Sequence, residues 1–252
     1  MIRVEIDDAL TTVILDAPEV KNAFSGDMIN QLSDAISNAE ETKACRCLSI
    51  TGANGNFCTG RNLNEEVDPE LEAVLQREGD WVRIFQQLRE LSKPSVAVVE
   101  GYAIAGGFTL AMGCDFVIAD ASAVFGAFEM RNGFPAAINT PLLAKLVGPR
   151  VALEWALLGE PISARRLYEM GLINRLVEDP SQLASMTKAF VSQLTALEPS
   201  AVAVAKEIHH AARNMPVSDA LAMGAQQNSL ISASGWLTKG IEKFASERRN
   251  ET

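Results

Sequence analysis

Two glycine turns, each placed after an apolar strand-like run, constrain the fold of this chain more than any other feature of its sequence. The turns are Phe57-Cys58-Thr59-Gly60-Arg61-Asn62-Leu63, after Cys47 to Thr51, and Gly101-Tyr102-Ala103-Ile104-Ala105-Gly106-Gly107, after Ser95 to Glu100. Two such turns can aim two backbone N–H groups at one oxygen, and that arrangement stabilises a developing oxyanion. A short apolar helix, Gly107 to Cys114, should follow the second turn and add its dipole to the Gly106 amide. Because strand-to-helix turns need glycine in any case, a purely structural role stays open.

Two better-known glycine motifs are excluded. A phosphate-binding P-loop requires Lys and then Ser or Thr after its last glycine, but Gly106 is followed by Gly107 and Phe108. No Gly-x-Gly-x-x-Gly opens a helix near the first strand, so the sequence gives no support for a dinucleotide-binding fold.

Composition and charge narrow the class of protein and its partners. The 252 residues are 48% hydrophobic and 21% charged, which suffices for a sizeable core in one large domain or a domain with an appendage. The formal net charge of −10 predicts no general attraction for nucleic acid or for an anionic membrane surface. No apolar stretch approaches the roughly 20 residues that span a bilayer, and the N-terminus runs straight into a strand pattern. We therefore expect a cytoplasmic protein.

Cysteine and histidine spacing predicts neither disulfides nor a metal site. The four cysteines, Cys45, Cys47, Cys58 and Cys114, lack a Cys-x-x-Cys pair and are interpreted as reduced, apolar core residues. His209 and His210 are adjacent on a predicted helix and point about 100° apart, so they cannot chelate one ion.

Strand and helix patterns alternate as far as about residue 180. A hairpin is predicted from Ile2–Ile6 and Thr11–Leu15 with Asp7-Asp8 at its turn, followed by a helix that Ser25 caps. The remaining predicted elements are strands at Cys47–Thr51, Ser95–Glu100, Phe116–Ala119 and Val124–Gly126, a long amphipathic helix that carries Trp81, Ile84, Phe85, Leu88 and Leu91, and helices at Pro149–Leu157 and Ser163–Met170.

The strands disappear past Pro180, and helices separated by Pro199 and Pro216 follow. We divide the chain into a β/α core, residues 1–192, and a helical region, residues 193–252. The apolar helix faces of that region include Val202, Ala205, Ile208 and Leu221, and they should pack on the core or on another subunit.

A series of motifs along nearly the whole chain resembles the enoyl-CoA hydratase/isomerase family, also called the crotonase superfamily. The motifs are Lys21-Asn22-Ala23-Phe24, the two glycine turns, Cys114-Asp115-Phe116-Val117-Ile118-Ala119, Phe125-Gly126-Ala127-Phe128-Glu129 and the closing Gly240-Ile241-Glu242-Lys243-Phe244. The resemblance implies an α/β fold, a crotonase-like spiral of β-β-α turns with two roughly perpendicular sheets, followed by a C-terminal helical trimerisation region. It also implies a homotrimer or a dimer of trimers.

The same resemblance implies an acyl-CoA thioester substrate and no cofactor beyond the coenzyme A of that substrate. The oxyanion donors would be the N–H groups of Arg61 and Gly106. Ala23 and the backbone of Gly60, Arg61, Asn62 and Leu63 match the family's adenine and pantetheine contacts. Lys21 is a candidate partner for a CoA phosphate, with a merely solvated side chain as the alternative, and Lys243 or Arg248 is a weaker candidate.

The acidic residues depart from the pattern of the family's hydratases, which hold a water between two glutamates. The second glutamate is present as Glu129, but the first falls at Thr109, whose hydroxyl cannot take up a proton near neutral pH. Glu129 lies among Phe125, Phe128 and Met130, and such an apolar setting should raise its pKa by desolvation. An ion pair with Arg131 is the alternative for Glu129.

One proton-carrying carboxylate beside an oxyanion hole suffices to move a double bond, so we favour isomerisation of an enoyl-CoA. Two alternatives remain: an enoyl-CoA hydratase that uses Glu129 and a water held near Thr109, and a non-catalytic acyl-CoA-binding scaffold. A replacement acid from the 64–70 loop, or a role for Tyr102 or Tyr168, also stays open. Asn139 is a possible polar contact in an otherwise apolar acyl pocket.

Overall fold

The computed structural model describes residues 1–66 and 68–235, which contain two sheets and a series of helices. The six-stranded sheet contains, in spatial order, β1 (Ile2–Asp7), β2 (Leu10–Leu15), β3 (Cys47–Gly52), β4 (Ser95–Val99), β6 (Phe116–Asp120) and β9 (Arg175–Val177). The three-stranded sheet contains β5 (Tyr102–Ile104), β7 (Val124–Gly126) and β8 (Ile162–Ser163).

The helices within the described ranges connect these strands and then continue alone. They are α1 (Gly26–Glu41), α2 (Leu71–Glu90), α3 (Gly106–Gly113), α4 (Asn139–Leu146), α5 (Pro149–Leu158), α6 (Ala164–Glu169), α7 (Leu183–Thr195), α8 (Pro199–Ala212) and α9 (Val217–Ala233). Three short 3-10 turns add to them, at Pro18–Val20, Phe128–Asn132 and Pro180–Gln182. The helix α4 has no counterpart in the sequence prediction.

The predicted N-terminal hairpin is confirmed, with β1 and β2 antiparallel and Val4 opposite Val13. From β2 onward the neighbours in the large sheet are parallel, so the connections must cross over, and helices cover the sheet. Burial on both faces explains the continuous apolar run of β4, in which all five residues are buried.

The cap and the apolar face predicted for the first helix are also confirmed. The Ser25 side chain accepts a hydrogen bond from the Met28 N–H at 3.2 Å, which satisfies one of the free amides at the start of α1. Met28, Ile29, Leu32 and Ile36 are buried, as their spacing predicts.

The long helix α2 brings its aromatic residues against the segment that follows the Pro18–Val20 turn. Trp81, Ile84 and Leu88 are buried along one face, and the Trp81 ring packs 5.0 Å from that of Phe24 and 5.1 Å from that of Phe85. Leu91 forms the C-cap, so the helix ends before Pro94.

The chain separates into two compact units, the first of which is Met1–Pro199. The predicted boundary after residue 192 falls inside α7, which belongs to that first unit. In the second unit, which begins at Ser200, α9 exposes large apolar side chains, among them Val217, Leu221 and Leu230. Among the described helices, none combines the length and the apolar composition that a bilayer crossing requires.

Candidate active site

The two glycine turns meet in the structure. The Cys58 N–H donates to the Tyr102 carbonyl at 2.8 Å, and the Ile104 N–H donates to the Cys58 carbonyl at 3.0 Å. A Cβ at Gly107 would lie 2.1 Å from the Cys58 oxygen, and a Cβ at Gly60 would lie 2.9 Å from the Gly106 nitrogen. Glycine is therefore required at both positions by close backbone approach, in addition to the positive φ of 90° at Gly60.

The backbone N–H groups of Arg61 and Gly106 are both available to bind an oxygen atom in the cavity. Phe24 pairs with the residues that flank Arg61, through Phe24 N–H to Gly60 O at 2.7 Å and Asn62 N–H to Phe24 O at 2.8 Å, so the Arg61 amide points away from Phe24. Gly106 is the first residue of α3 and has no acceptor within the helix. Among the hydrogen bonds of residues 1–66 and 68–235, none is donated by either N–H.

Arg61 and Gly106 line the same cavity, which has a volume of about 470 Å³. Its apolar wall consists mainly of Phe24, Ile29, Trp81, Ile104, Phe128, Phe134, Pro135 and Ile138. Glu129 and Thr109 also line this cavity. The structure thus brings together both predicted oxyanion donors, the predicted acid and the threonine that replaces the second acid.

Ala105, directly before Gly106, has a strained backbone with φ 49° and ψ −123°. Its N–H donates to the Gly126 carbonyl at 2.8 Å. Its carbonyl accepts from the Thr109 N–H at 3.1 Å, the Thr109 hydroxyl at 3.2 Å and the Asn139 side-chain amide at 3.0 Å. These contacts hold the turn in the conformation that presents the Gly106 N–H.

Glu129 occupies the 3-10 turn Phe128–Asn132, with one carboxylate oxygen bonded and one without a partner. Its Oε1 accepts from Asn139 Nδ2 at 2.7 Å, while Oε2 is buried and has no hydrogen-bond partner among the described residues. Burial raises the pKa of this carboxyl group above its usual value, against the opposing effects of a backbone hydrogen bond and of Asn139. The direction of this pKa shift is the one predicted from the apolar setting.

The alternative role for Glu129, an ion pair with Arg131, is wrong. The Arg131 guanidinium instead lies over the Phe128 ring, 4.6 Å from its centre. The segment is a 3-10 turn and not a strand, so residues two apart do not share a face.

A second carboxylate reaches the cavity from α2. Glu78 lines the cavity and pairs with the Arg61 guanidinium at 2.8 Å, and both side chains are partly exposed. Sequence reasoning missed Glu78, although its position three residues before Trp81 places it near the same helix face. Among the described residues of the acidic loop, 64–66 and 68–70, none lines the cavity. The Glu65 side chain instead accepts from the Gly26 N–H at 3.0 Å at the start of α1.

The predicted substrate-binding residues divide into two groups. Leu63 and Thr109 line the cavity, and Leu63 is exposed. The residues outside the cavity wall are Lys21, Ala23, Gly60, Asn62 and Asn139. Lys21 is exposed, with its Nζ 4.8 Å from the centre of the Tyr102 ring. Lys243 and Arg248 lie outside the described residues.

Other reactive side chains are not part of this cavity. All four cysteines are reduced and buried, as predicted. Burial raises the pKa of the Cys58 thiol to about 12, so it stays protonated. Tyr102 and Tyr168 do not line the cavity, and no group of three or more potential metal-ligating side chains occurs in the part of the chain that the structure describes.

Comparison with known proteins gives a consistent match over the whole chain. A sequence profile described as Enoyl-CoA hydratase/isomerase matches residues 5–251. The chain is 30% identical to 1,2-epoxyphenylacetyl-CoA isomerase from Escherichia coli, covering 96% of this chain and 94% of that protein. It is 29% identical to hydroxycinnamoyl-CoA hydratase-lyase from Pseudomonas fluorescens, covering 98% of this chain and 92% of that protein.

The fold is likewise similar to that of solved structures. The crystal structure of enoyl-CoA hydratase from Mycobacterium smegmatis superposes with a TM-score of 0.86 and 25% sequence identity, covering 94% of this chain and 96% of that one. The predicted α/β fold class is confirmed.

Proposed function

The chain belongs to the enoyl-CoA hydratase/isomerase family and is a crotonase-type acyl-CoA enzyme, and we propose that it moves a carbon–carbon double bond along the acyl chain of an enoyl-CoA. The observation that supports this reaction is the combination, in a single cavity, of two free backbone amides with a half-buried carboxylate whose Oε2 has no partner among the described residues. The proposed reaction uses no cofactor beyond the coenzyme A of the substrate.

The proposed mechanism is a proton transfer through an enolate. Glu129 removes an α or allylic proton, and the electron pair of the broken C–H bond moves toward the thioester carbonyl. The N–H groups of Arg61 and Gly106 stabilise the resulting dienolate oxygen, which carries more negative charge than the starting carbonyl. The carboxylic acid of Glu129 then returns the proton to the other end of the conjugated system, so the bond shifts and Glu129 is regenerated.

Isomerisation requires no second acid, which is why we favour it over hydration. Adding water requires both activation of the water and protonation of the α-carbon. Thr109 stands where the family's hydratases have their first glutamate, and Glu78 is already paired with Arg61. Of the two carboxylates that line the cavity, Glu129 is therefore the one without an ion pair.

Hydration is the second candidate, because the Thr109 hydroxyl has a defined orientation. It donates its proton to the Ala105 carbonyl, which leaves only lone pairs for the cavity. A water that donates to Thr109 Oγ1 and to the free Glu129 Oε2 would keep its own lone pairs for attack on a double bond. The relatives of this chain include a hydratase-lyase as well as an isomerase.

Incubation with 2-enoyl-CoA and 3-enoyl-CoA in deuterated water, followed by mass spectrometry, tests the choice. An isomerase interconverts the two substrates with uptake of deuterium and no added oxygen. A hydratase converts the 2-enoyl-CoA to a product heavier by one water. A protein that binds both substrates and changes neither would contradict the proposed reaction and the second candidate alike.

Thr109→Glu tests whether the lack of a carboxylate at position 109 is what limits hydration. The new carboxylate, one helical turn from Gly106, should raise the hydration rate of a short 2-enoyl-CoA by about two orders of magnitude, the usual range for one acid–base group. Two carboxylates near one water repel, so one pKa must rise and isomerase activity should fall or move to higher pH.

The matched control is Thr42→Glu, which adds the same charge at an exposed position at the end of α1. It should change neither activity. If the wild type already hydrates 2-enoyl-CoA rapidly and Thr109→Glu adds nothing, the preference for isomerisation is wrong.

We further propose that the CoA moiety runs along Ala23 and the Gly60 to Leu63 backbone, with Lys21 near a phosphate. Lys21→Glu should then raise KM for acyl-CoA about two- to fivefold without changing kcat, as expected for an exposed ion pair. Steady-state kinetics would show this, with Lys43→Glu, also exposed, as the control. An unchanged KM would exclude Lys21 as a phosphate partner.

We also propose that the protein assembles as a homotrimer or a dimer of trimers. The support is the helical region itself, because neither α8 nor α9 contains a fully buried residue. Size-exclusion chromatography with light scattering measures the mass directly, and a monomer would refute this proposal.

A further inference from the structure

The side-chain amide of Asn139 makes two hydrogen bonds, and together they connect Glu129 to the second glycine turn. It is the first residue of α4 and is only 1% exposed. Its Nδ2 donates to Glu129 Oε1 at 2.7 Å and to the Ala105 carbonyl at 3.0 Å. Both protons of the NH₂ group are therefore used, while its Oδ1 is buried without a partner among the described residues.

The chemistry of the two acceptors fixes the orientation of this amide. Exchanging its nitrogen and oxygen would place Oδ1 against the Glu129 carboxylate and the Ala105 carbonyl, neither of which donates when Glu129 is ionised. A donor at this position favours the ionised form of the carboxylate, because hydrogen bonds to charged groups are stronger than those between neutral groups.

We propose that Asn139 is a positioning residue that keeps Glu129 ionised and oriented toward the substrate, and at the same time fixes Ala105 so that the Gly106 N–H stays in the oxyanion hole. This inference rests on the proposed role of Glu129 as the proton shuttle. It differs from a substrate contact, since Asn139 is not part of the cavity wall. The Asn139 side chain thus links Glu129, the proposed proton carrier, to the turn that presents the Gly106 N–H.

Charged neighbours are not among the causes that shift the pKa of Glu129. Its own 3-10 turn carries Arg131, and the neighbouring helices carry Lys145 on α4 and Arg150 and Glu154 on α5. Across the cavity lie Arg61 and Glu78. None of them is a cause of the shifted pKa of Glu129, whose causes are burial and two hydrogen bonds. Asn139 supplies the side-chain hydrogen bond among these causes, so it is the group to change.

The test compares Asn139→Leu and Asn139→Asp with the wild type. Leu keeps the number and branching of the side-chain heavy atoms and removes the donors without adding charge. Asp keeps the shape of the side chain but replaces the donors with an acceptor. The rate of α-proton exchange of butanoyl-CoA in deuterated water is measured by mass spectrometry across a pH series, and butanoyl-CoA affinity is measured by calorimetry. The control is Thr140→Ala, the exposed neighbour whose hydroxyl bonds the Ala136 carbonyl.

The midpoint of the rate–pH profile should move upward by about one unit or more in Asn139→Leu, and further in Asn139→Asp, with affinity within about threefold of the wild type. Exchange at a pH below the wild-type midpoint should therefore fall about tenfold or more. A general loss of rate with an unmoved midpoint would show a merely structural role and overturn the inference. If neither variant folds, as judged by circular dichroism, the smaller Asn139→Ser is held to the same criterion.

Glu129→Gln distinguishes a failure of the proposed function from a failure of the positioning role of Asn139. If this variant still exchanges the α-proton at the wild-type rate, the proposed function fails. If exchange is lost in Glu129→Gln but the Asn139 variants keep the wild-type midpoint, only the positioning role of Asn139 fails.

Discussion

Glu129→Gln is expected to lower turnover of an enoyl-CoA by about two to four orders of magnitude, the usual contribution of general acid–base catalysis. The amide keeps the shape of the side chain and can still accept from Asn139 Nδ2, but it cannot take up a proton. Acyl-CoA affinity should therefore stay within several fold of the wild type. Steady-state kinetics and calorimetry separate these two effects, with Glu169→Gln, an exposed residue of α6, as the matched control.

The same substitution should not destabilise the protein at neutral pH. Since burial raises the pKa of Glu129, the folded state favours the protonated carboxyl, and the stability that this provides is lost as pH rises through the raised pKa. Gln removes this penalty, so its Tm at neutral pH should equal or exceed that of the wild type, and the two should converge at acidic pH. Undiminished turnover in a folded Glu129→Gln enzyme would remove this residue from the mechanism.

Gly106→Pro is expected to lower turnover by about a hundredfold or more. Proline has no N–H, so the substitution deletes one of the two proposed oxyanion donors, and loss of such a donor typically raises the barrier by about 3 kcal/mol. Proline is sterically acceptable at the first position of a helix, which is where Gly106 lies in α3. Circular dichroism must first show that the strained turn at Ala105 still folds.

Gly106→Ala is the matched comparison, since it keeps the N–H. Its Cβ would lie 3.3 Å from Gly60 Cα and from Trp81 Cζ2, a tight fit that requires small shifts. We expect Gly106→Ala to retain more activity than Gly106→Pro. A folded Gly106→Pro enzyme with wild-type turnover would refute the oxyanion role of this amide.

Local signals in the sequence predict much of the fold. The hairpin from β1 and β2, the Ser25 cap and the buried face of α1 depend on neighbouring residues, whose spacing can be read directly. The glycine turns are also local, since only glycine tolerates the approach of another backbone at Gly60 and Gly107. The elements formed by these signals agree closely with the structure.

Contacts between distant segments were not predictable in the same way. Glu78 reaches Arg61 only because α2 packs beside the first glycine turn, and no residue spacing encodes that pairing. Asn139 begins α4, a helix without a clear start signal, because Ile138 at its N-cap makes no side-chain cap. Its bond to Glu129 depends on the fold of the whole 128–139 segment. The positive φ of Ala105 was likewise not predictable, because alanine rarely adopts this backbone conformation.

The close approach at Gly60 and Gly107 also has an evolutionary consequence. The two proposed oxyanion donors are backbone groups held by glycine packing, whereas side chains such as those of Leu63, Phe134 and Ile138 line other parts of the cavity. Substitutions at those three positions would reshape the cavity without removing either N–H. Selection or engineering can therefore change the shape of this cavity through single side-chain substitutions, while the two backbone N–H groups are kept.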